Sequence, residues 1–314
     1  MLADGVGDSA TPAKNRAATH SVVALRAPTA RPSRASRATI PAMNLDSLIA
    51  LALAAGREIM AVRAAGFDTQ TKDDGSLVTI ADQRAEAIIE AGLAQLAPGV
   101  PMLGEEAVAA GRIANCTGTF FCVDPLDGTR GFAKGGDEFT VNIALIEDAT
   151  PTFGVVYAPA TGELYAGEPG QALAGKCHPQ TAQLLAPMTP IRANATLPQQ
   201  PRIVASDFSG RNERTGQFIK ALGGAITHAS SSIKFCRVAE GAADLYPRFG
   251  DISEWDAAAA HAVLKAAGGD IMQLDGSPLR YGGKQGDFLI HGFVAYSGDA
   301  AKAAALKALQ LLTQ

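Results

Sequence analysis

V-D-P-L-D-G-T-R-G-F, Val123 to Phe132, follows the apolar run Phe120, Phe121 and Cys122. The pattern predicts a buried strand that ends in two carboxylates, Asp124 and Asp127. Pro125 pushes Asp124 away from helical backbone angles, and Gly128 permits a tight turn. The two acids are therefore expected to converge on one point.

Two carboxylates about 4 Å apart repel by roughly 4 kcal/mol at an effective dielectric near 20, so a rigidly held pair needs a proton or a cation between them. A hard, oxygen-liganded ion such as Mg²⁺ meets that need, and the Leu126 carbonyl between the acids is a further oxygen donor. If a helix starts after Gly128, the N–H groups of Gly128 and Thr129 form an anion cradle beside the metal. A bare D-x-x-D is most often a solvated turn; the longer D-P-x-D-G-T after an apolar strand is far more specific. The spacing fits neither an EF-hand loop, which needs acids at alternate positions, nor the D-x-D of haloacid-dehalogenase-type phosphatases.

The chain has 314 residues, 47% of them hydrophobic, and a formal net charge of -4. That length supports a large core in two lobes, and the charge disfavours nucleic acid as a partner. No apolar run reaches the length of a membrane span. Cys116, Cys122, Cys177 and Cys236 form no C-x-x-C pair, which suits reduced thiols in the cytoplasm. The histidines form no H-x-x-x-H, so any metal is expected on oxygen ligands.

Residues 1–43 are rich in Arg, Ser, Ala and Pro and read as a disordered or non-native extension. A first lobe, 44–190, opens with a helix whose Leu45, Leu48, Ile49, Ala52, Ala55, Ile59 and Val62 recur at helical spacing. After a turn from Lys72 to Ser76, T-I-A-D at 79–82 is a capping box opening a second helix. Asp82 thus has a purely structural role available, beside a catalytic one in orienting water. Pro101 to Gly104 predicts a short strand delivering Glu105 and Glu106. Phe139–Ile146, Phe153–Ala158 and Glu163–Ala166 are expected as antiparallel strands of alternating polarity.

The second lobe, 191–314, alternates between strand and helix. Strands are expected at 202–205, 225–228, 243–249, 270–274 and 288–296, with helices at 212–222, 232–240, 253–267 and 300–312. This alternation argues for an α/β lobe with a largely parallel sheet. S-E-W-D at 253–256 is a second capping box, which gives Asp256 the same structural alternative as Asp82.

In order, G-E-E from Gly104, D-P-L-D-G-T from Asp124 and W-D-A-A-A from Trp255 resemble the signature set of the inositol monophosphatase family of Mg²⁺-dependent, Li⁺-sensitive phosphatases. The resemblance covers about residues 44–300. The runs at 135–146, 234–248 and 274–279 look most like its bacterial 3′(2′),5′-bisphosphate nucleotidase branch, which serves sulfur assimilation. It implies an α/β (α+β) layered αβαβα sandwich, with an antiparallel lobe followed by a mostly parallel one. It also implies two or three Mg²⁺ ions on Glu105, Asp124, Asp127, Asp256 and the Leu126 carbonyl, with Asp82, Thr129 and Glu105 as catalytic residues. Gly128, Thr129, Ser231, Ser232, Lys234, Arg248 and Asp256 would bind substrate.

The chemistry agrees: four carboxylates and a phosphate monoester can share a site only with at least two divalent ions. Arg248 stands where inositol phosphatases commonly place an acid, and a guanidinium suits phosphate better than a neutral polyol. With Lys234 it makes a second phosphate on the substrate the expectation, surface charge being the plain alternative. Adenosine 3′,5′-bisphosphate is the implied substrate, and a monomer or homodimer without nucleic acid or membrane partners the implied state. Inositol-1-phosphate, histidinol phosphate or a sugar phosphate are rival substrates, and a pseudo-phosphatase binding module is the non-enzymatic rival. The chain departs from the family pattern at Gly131, Ser230 and Ala260. Ser230 replaces a glycine in a turn expected to need positive φ.

Overall fold

The computed structural model describes residues 43–72, 77–206, 212–283 and 288–312. Apart from Met43, the expected N-terminal extension lies outside the described residues, as does the turn expected from Lys72 to Ser76 apart from Lys72 itself. In chain order the first half holds α1 (Leu45–Ala65), β1 (Thr69–Thr71), β2 (Leu77–Thr79), α2 (Ile80–Leu96), β3 (Met102–Gly104), α3 (Glu105–Ala109), β4 (Thr119–Asp127), α4 (Thr129–Ala133), β5 (Thr140–Glu147), β6 (Thr150–Ala158), β7 (Glu163–Glu168), β8 (Gln171–Lys176) and β9 (Thr189–Pro190). The second half holds β10 (Arg202–Ala205), α5 (Glu213–Leu222), β11 (Ala225–His228), α6 (Ile233–Ala239), β12 (Leu245–Arg248), β13 (Ile252–Ser253), α7 (Glu254–Ala266), β14 (Asp270–Gln273), β15 (Leu289–Ile290), β16 (Phe293–Tyr296) and α8 (Asp299–Leu311).

Strand β4 shows how the layers arise. Its Phe121 and Val123 enter a core shared with Leu48, Ile59, Ala85 and Ile89 of α1 and α2. Phe120 and Cys122, pointing the other way, enter a core shared with Phe235 of α6 and Ala259 and Val263 of α7. β5 divides likewise, with Ile143 and Leu145 on the first side and Ala144 and Ile146 on the second. Both faces of the sheet β3-β4-β5-β6-β7-β8-β9 are thus covered by helices. The expected alternation of polarity therefore fails: a sheet buried on both faces needs strands that are apolar throughout. Of the polar residues on β5, Thr140 and Asn142 are themselves buried and meet Ser232.

The second sheet runs β11-β10-β12-β16-β14. β10 is parallel to β11 and β12, but β16 is antiparallel to both β12 and β14. The sheet is thus mixed, not largely parallel. Alternating helices enforce parallel neighbours only where a helix forms the crossover, and among the described residues none stands between β14 and β16. The strand expected over 288–296 is broken at Gly292, whose φ of 89° suits glycine alone. Its first part, β15, instead pairs with β13 at the start of α7. A third core joins this sheet to α5 and α8 through Phe218, Leu245, Val294 and Ala305. The five layers are α1/α2, seven strands, α6/α7, five strands and α5/α8, the αβαβα sandwich of the expectation.

Asp244 ties the second sheet together. It is buried, and its carboxylate accepts from Arg202 N (2.8 Å), Nε (3.1 Å) and Nη2 (2.9 Å) and from Asn194 Nδ2 (2.8 Å). Burial alone would raise its pKa, but the bonds from Arg202 and Asn194 outweigh it and hold the carboxyl below its usual value. The contribution to stability is therefore full above the ordinary carboxylate pKa and is lost as pH falls through the depressed folded value. Arg202 is 40% exposed, which screens the pair. Asp244→Asn is expected to cost about 2 kcal/mol near pH 7, seen as a lower Tm, with the gap to wild type closing as pH falls through the depressed pKa of the folded state.

Among the described residues no helix is long and apolar enough to cross a membrane. The four cysteines are free.

Candidate active site

The turn at the end of β4 has the form the residues call for. Pairing with β5 runs as far as Asp124 opposite Asn142, becomes irregular, and resumes at Asp127 opposite Thr140. Proline supplies no ladder donor, so the irregularity falls where Pro125 stands. Leu126 N donates instead to Asp124 Oδ1 at 2.9 Å, which fixes the carboxylate. Gly128 has φ 99°, and a Cβ there would lie 2.9 Å from the Glu138 carbonyl oxygen. α4 begins at the next residue, as expected.

Thr129 Oγ1 lies 3.0 Å from Asp82 Oδ1 and 3.0 Å from the Leu126 carbonyl oxygen. The other oxygen of Asp82 accepts from Thr79 N (2.8 Å) and Thr79 Oγ1 (2.7 Å), closing the capping box of α2. The cap was the structural role open to Asp82 in the sequence, beside one in orienting water; here the cap uses one carboxylate oxygen and Thr129 meets the other.

The remaining acids arrive by topology. β3 runs parallel to β4 with Gly104 opposite Val123, so Glu105 enters beside Asp124. Asp256 stands on the first turn of α7, its Oδ2 accepting from Ser253 N at 3.1 Å. Burial pushes the Asp124 carboxyl well above its ordinary pKa, and Glu105, Asp127 and Asp256 add to the rise. Asp256 is raised by burial and then by Asp127 and Glu105, with Arg248 opposing. Burial also lifts Glu105 to about 7 against the opposing charge of Lys72, with Glu106 and Asp82 adding to the rise. Acids 151 positions apart in the chain, Glu105 and Asp256, therefore feel one another in one buried region.

The side chains that answer this negative charge include some that the sequence reading passed over. Lys72 Nζ bridges Glu105 Oε1 (2.7 Å) and Glu106 Oε1 (2.6 Å). Ser231 Oγ donates to Asp127 Oδ2 and is 2.6 Å from Thr140 Oγ1. Ser232 Oγ donates to Asn142 Oδ1 at 2.6 Å and lies 2.8 Å from Thr140 Oγ1. Two polar residues at the start of a mostly apolar strand were the available signal for Thr140 and Asn142. Positive φ in this turn falls on Ser231 (53°), one residue after the expected Ser230. The left-handed conformation costs a non-glycine residue about 1–2 kcal/mol, offset here by the bonds Ser231 makes.

Lys234 is 5% exposed, donates from Nζ to the Ser231 carbonyl at 2.6 Å and stands 5.3 Å over the Tyr246 ring. It props the serine turn from below. Arg248 Nη2 donates to the Asp251 carbonyl at 3.1 Å, while its Nε is buried without a hydrogen-bond partner. Tyr157 and Tyr246 are core residues.

Among the described residues, no three His, Cys, Asp or Glu side chains stand together so as to hold a metal ion. Glu105 is engaged by Lys72 and Asp127 by Ser231. The donor set nevertheless fits a hard divalent cation: it is oxygen throughout, buried at Asp124 and half-buried at Glu105, Asp127 and Asp256, and carries more negative charge than nearby cations neutralise.

The sequence model of the inositol monophosphatase family matches residues 44–312. The 3′(2′),5′-bisphosphate nucleotidase CysQ of Escherichia coli (strain K12) is 39% identical over 253 residues, 79% of this chain and 98% of that protein. The histidinol-phosphatase of Mycobacterium tuberculosis is 31% identical over 247 residues, 76% of this chain and 91% of that protein. The crystal structure of CysQ from Bacteroides thetaiotaomicron, a bacterial member of the inositol monophosphatase family, superposes with a TM-score of 0.65 at 33% identity, covering 81% of this chain and 97% of that one.

Proposed function

The chain belongs to the inositol monophosphatase family of phosphatases, and from that premise we propose that it is a cytoplasmic, Mg²⁺-dependent 3′(2′),5′-bisphosphate nucleotidase. Its reaction is hydrolysis of adenosine 3′,5′-bisphosphate to AMP and phosphate by attack of water. Glu105, Asp124, Asp127, Asp256 and the Leu126 carbonyl hold the two or three ions. When bound, such ions supply charge neutralisation of the ester, activation of water and stabilisation of the leaving oxygen.

The protein's own groups do the positioning. Thr129 Oγ1 lies 3.0 Å from both Asp82 Oδ1 and the Leu126 carbonyl oxygen, so its single proton goes to one of these acceptors and the hydroxyl oxygen can still accept from a water. Thr79 holds the second Asp82 oxygen, which fixes that carboxylate. The N–H groups of Gly128 and Thr129 hold the scissile phosphate at the left-handed turn before α4. Ser231 and Ser232 shape the wall opposite, supported from beneath by Lys234.

Arg248 carries the choice of substrate. A buried guanidinium N–H without an acceptor costs about 1–3 kcal/mol, and it sits on the residue type best suited to a second phosphate. A neutral polyol offers it no matching anion. The nucleotidase assignment of the Escherichia coli relative supports the same reading at higher identity than the histidinol-phosphatase. The intact acid set argues against a binding module that has lost its chemistry.

The deciding experiment is phosphate release with Mg²⁺ from adenosine 3′,5′-bisphosphate, inositol 1-phosphate and histidinol phosphate. The bisphosphate is expected to lead in kcat/KM by at least about tenfold, equivalent to one charge-assisted contact of about 1.4 kcal/mol. A lead for either monophosphate would discard the nucleotidase reading while leaving the phosphatase family intact.

A further inference from the structure

α3 is five residues long, and its N-cap, Gly104, makes no side-chain capping bond. So short a helix does not hold itself, since nucleation costs more than one turn of hydrogen bonds returns. The missing cap comes from another helix. Glu86 of α2 is 2% exposed, and its carboxylate accepts from Glu106 N at 2.8 Å through Oε2 and from Ala107 N at 2.7 Å through Oε1. These are the second and third N–H groups of α3, the ones an N-cap side chain ordinarily satisfies.

The glycine at 104 makes this possible. A Cβ there would lie 2.7 Å from Glu86 Oε2 and 2.8 Å from its Cδ. Any side chain at 104 would therefore push the carboxylate off the helix start. Glu86 also lies one helical turn after Asp82, on the same face of α2. One face of α2 thus meets Thr129 through Asp82, and the second and third residues after Gly104 through Glu86.

We propose that Glu86 is a positioning residue for Glu105. By its two bonds to the start of α3 it sets the direction in which the Glu105 carboxylate leaves β3, and so sets the affinity of the acidic cluster for a divalent cation. The proposal rests on the reading of Glu105 as a metal ligand given above. Gly104 in the G-E-E motif is then explained by the approach of Glu86, since its backbone is ordinary extended chain (φ -114°).

The test is titration calorimetry of Mn²⁺ into the full-length chain without substrate, alongside melting of the metal-free proteins. Glu86→Ala is expected to weaken Mn²⁺ binding by about 10–100-fold, the usual effect of removing a partner that orients a ligand. Glu86→Gln keeps one acceptor oxygen and should lose less, whereas Gly104→Ala should match Glu86→Ala by displacing the carboxylate. The kcat/KM lost in Glu86→Ala should return at raised Mn²⁺. A Glu86→Ala protein that melts lower but binds Mn²⁺ with the wild-type Kd, while Glu105→Gln binds weakly, would make Glu86 structural only and overturn the proposal. Should Glu86→Ala not fold, the same Kd in Gly104→Ala overturns it equally. If Glu105→Gln itself leaves Kd unchanged, the ligand reading of Glu105 fails first and takes the proposal with it.

Discussion

Asp124→Asn is expected to lower phosphate release by about a thousandfold or more, roughly 4 kcal/mol of transition-state stabilisation. Asparagine keeps the volume of the side chain, and its amide oxygen can still accept from Leu126 N, which Asp124 Oδ1 now does at 2.9 Å. The turn is therefore expected to survive and only the charge to disappear. In the metal-free protein that charge is a burden: Asp124 is buried, and Glu105, Asp127 and Asp256 all push its pKa upward. The variant should consequently melt no lower than wild type without metal, and gain less Tm from added Mg²⁺. Phosphate release close to the wild-type rate would remove Asp124 from the proposed metal site.

Arg248→Ala is expected to raise KM for adenosine 3′,5′-bisphosphate by about 10–100-fold, or ~1.5–3 kcal/mol, the range for a hydrogen bond to a charged group. For a generic monophosphate the same change should have little effect, because that substrate lacks the group Arg248 is proposed to bind. Loss of equal size on both substrates would show that Arg248 acts through its bond to the Asp251 carbonyl, and so through the loop before α7. Arg248→Lys should recover only part of the affinity, since an ammonium cannot reproduce a planar two-point contact. Steady-state kinetics on the two substrates separates these outcomes.

Much of the site was legible where its chemistry is local in the chain. The strand before Asp124, the helix after Gly128 and both capping boxes follow from short-range sterics and hydrogen bonds between residues three apart. The apolar runs likewise placed most helices to within a few residues, although the small-residue strand β8 and the short β1, β2 and β9 offered too weak a pattern to find. The parallel order expected for the second sheet failed for a related reason. Strand and helix alternation says that a chain crosses over, but the direction of β16 depends on a break at Gly292 and on a connection with no helix.

The chemistry of the acids, the turn that carries Asp124 and Asp127, and the starts of α2 and α7 were determined by the sequence itself, because each depends on neighbours within a few residues. The tertiary structure alone decided which groups face those acids: Lys72 on Glu105 and Glu106, Ser231 on Asp127, Thr140 and Asn142 on the serine turn, Glu86 beneath Gly104. It also decided that Lys234 lies under the serine turn while Arg248 keeps an N–H without an acceptor. These pairings join residues up to about a hundred positions apart, and their bonds form only after burial on both faces of the sheet has fixed the strand order. No local propensity encodes them, since the free energy that selects each partner comes from the packing of layers that are remote in sequence.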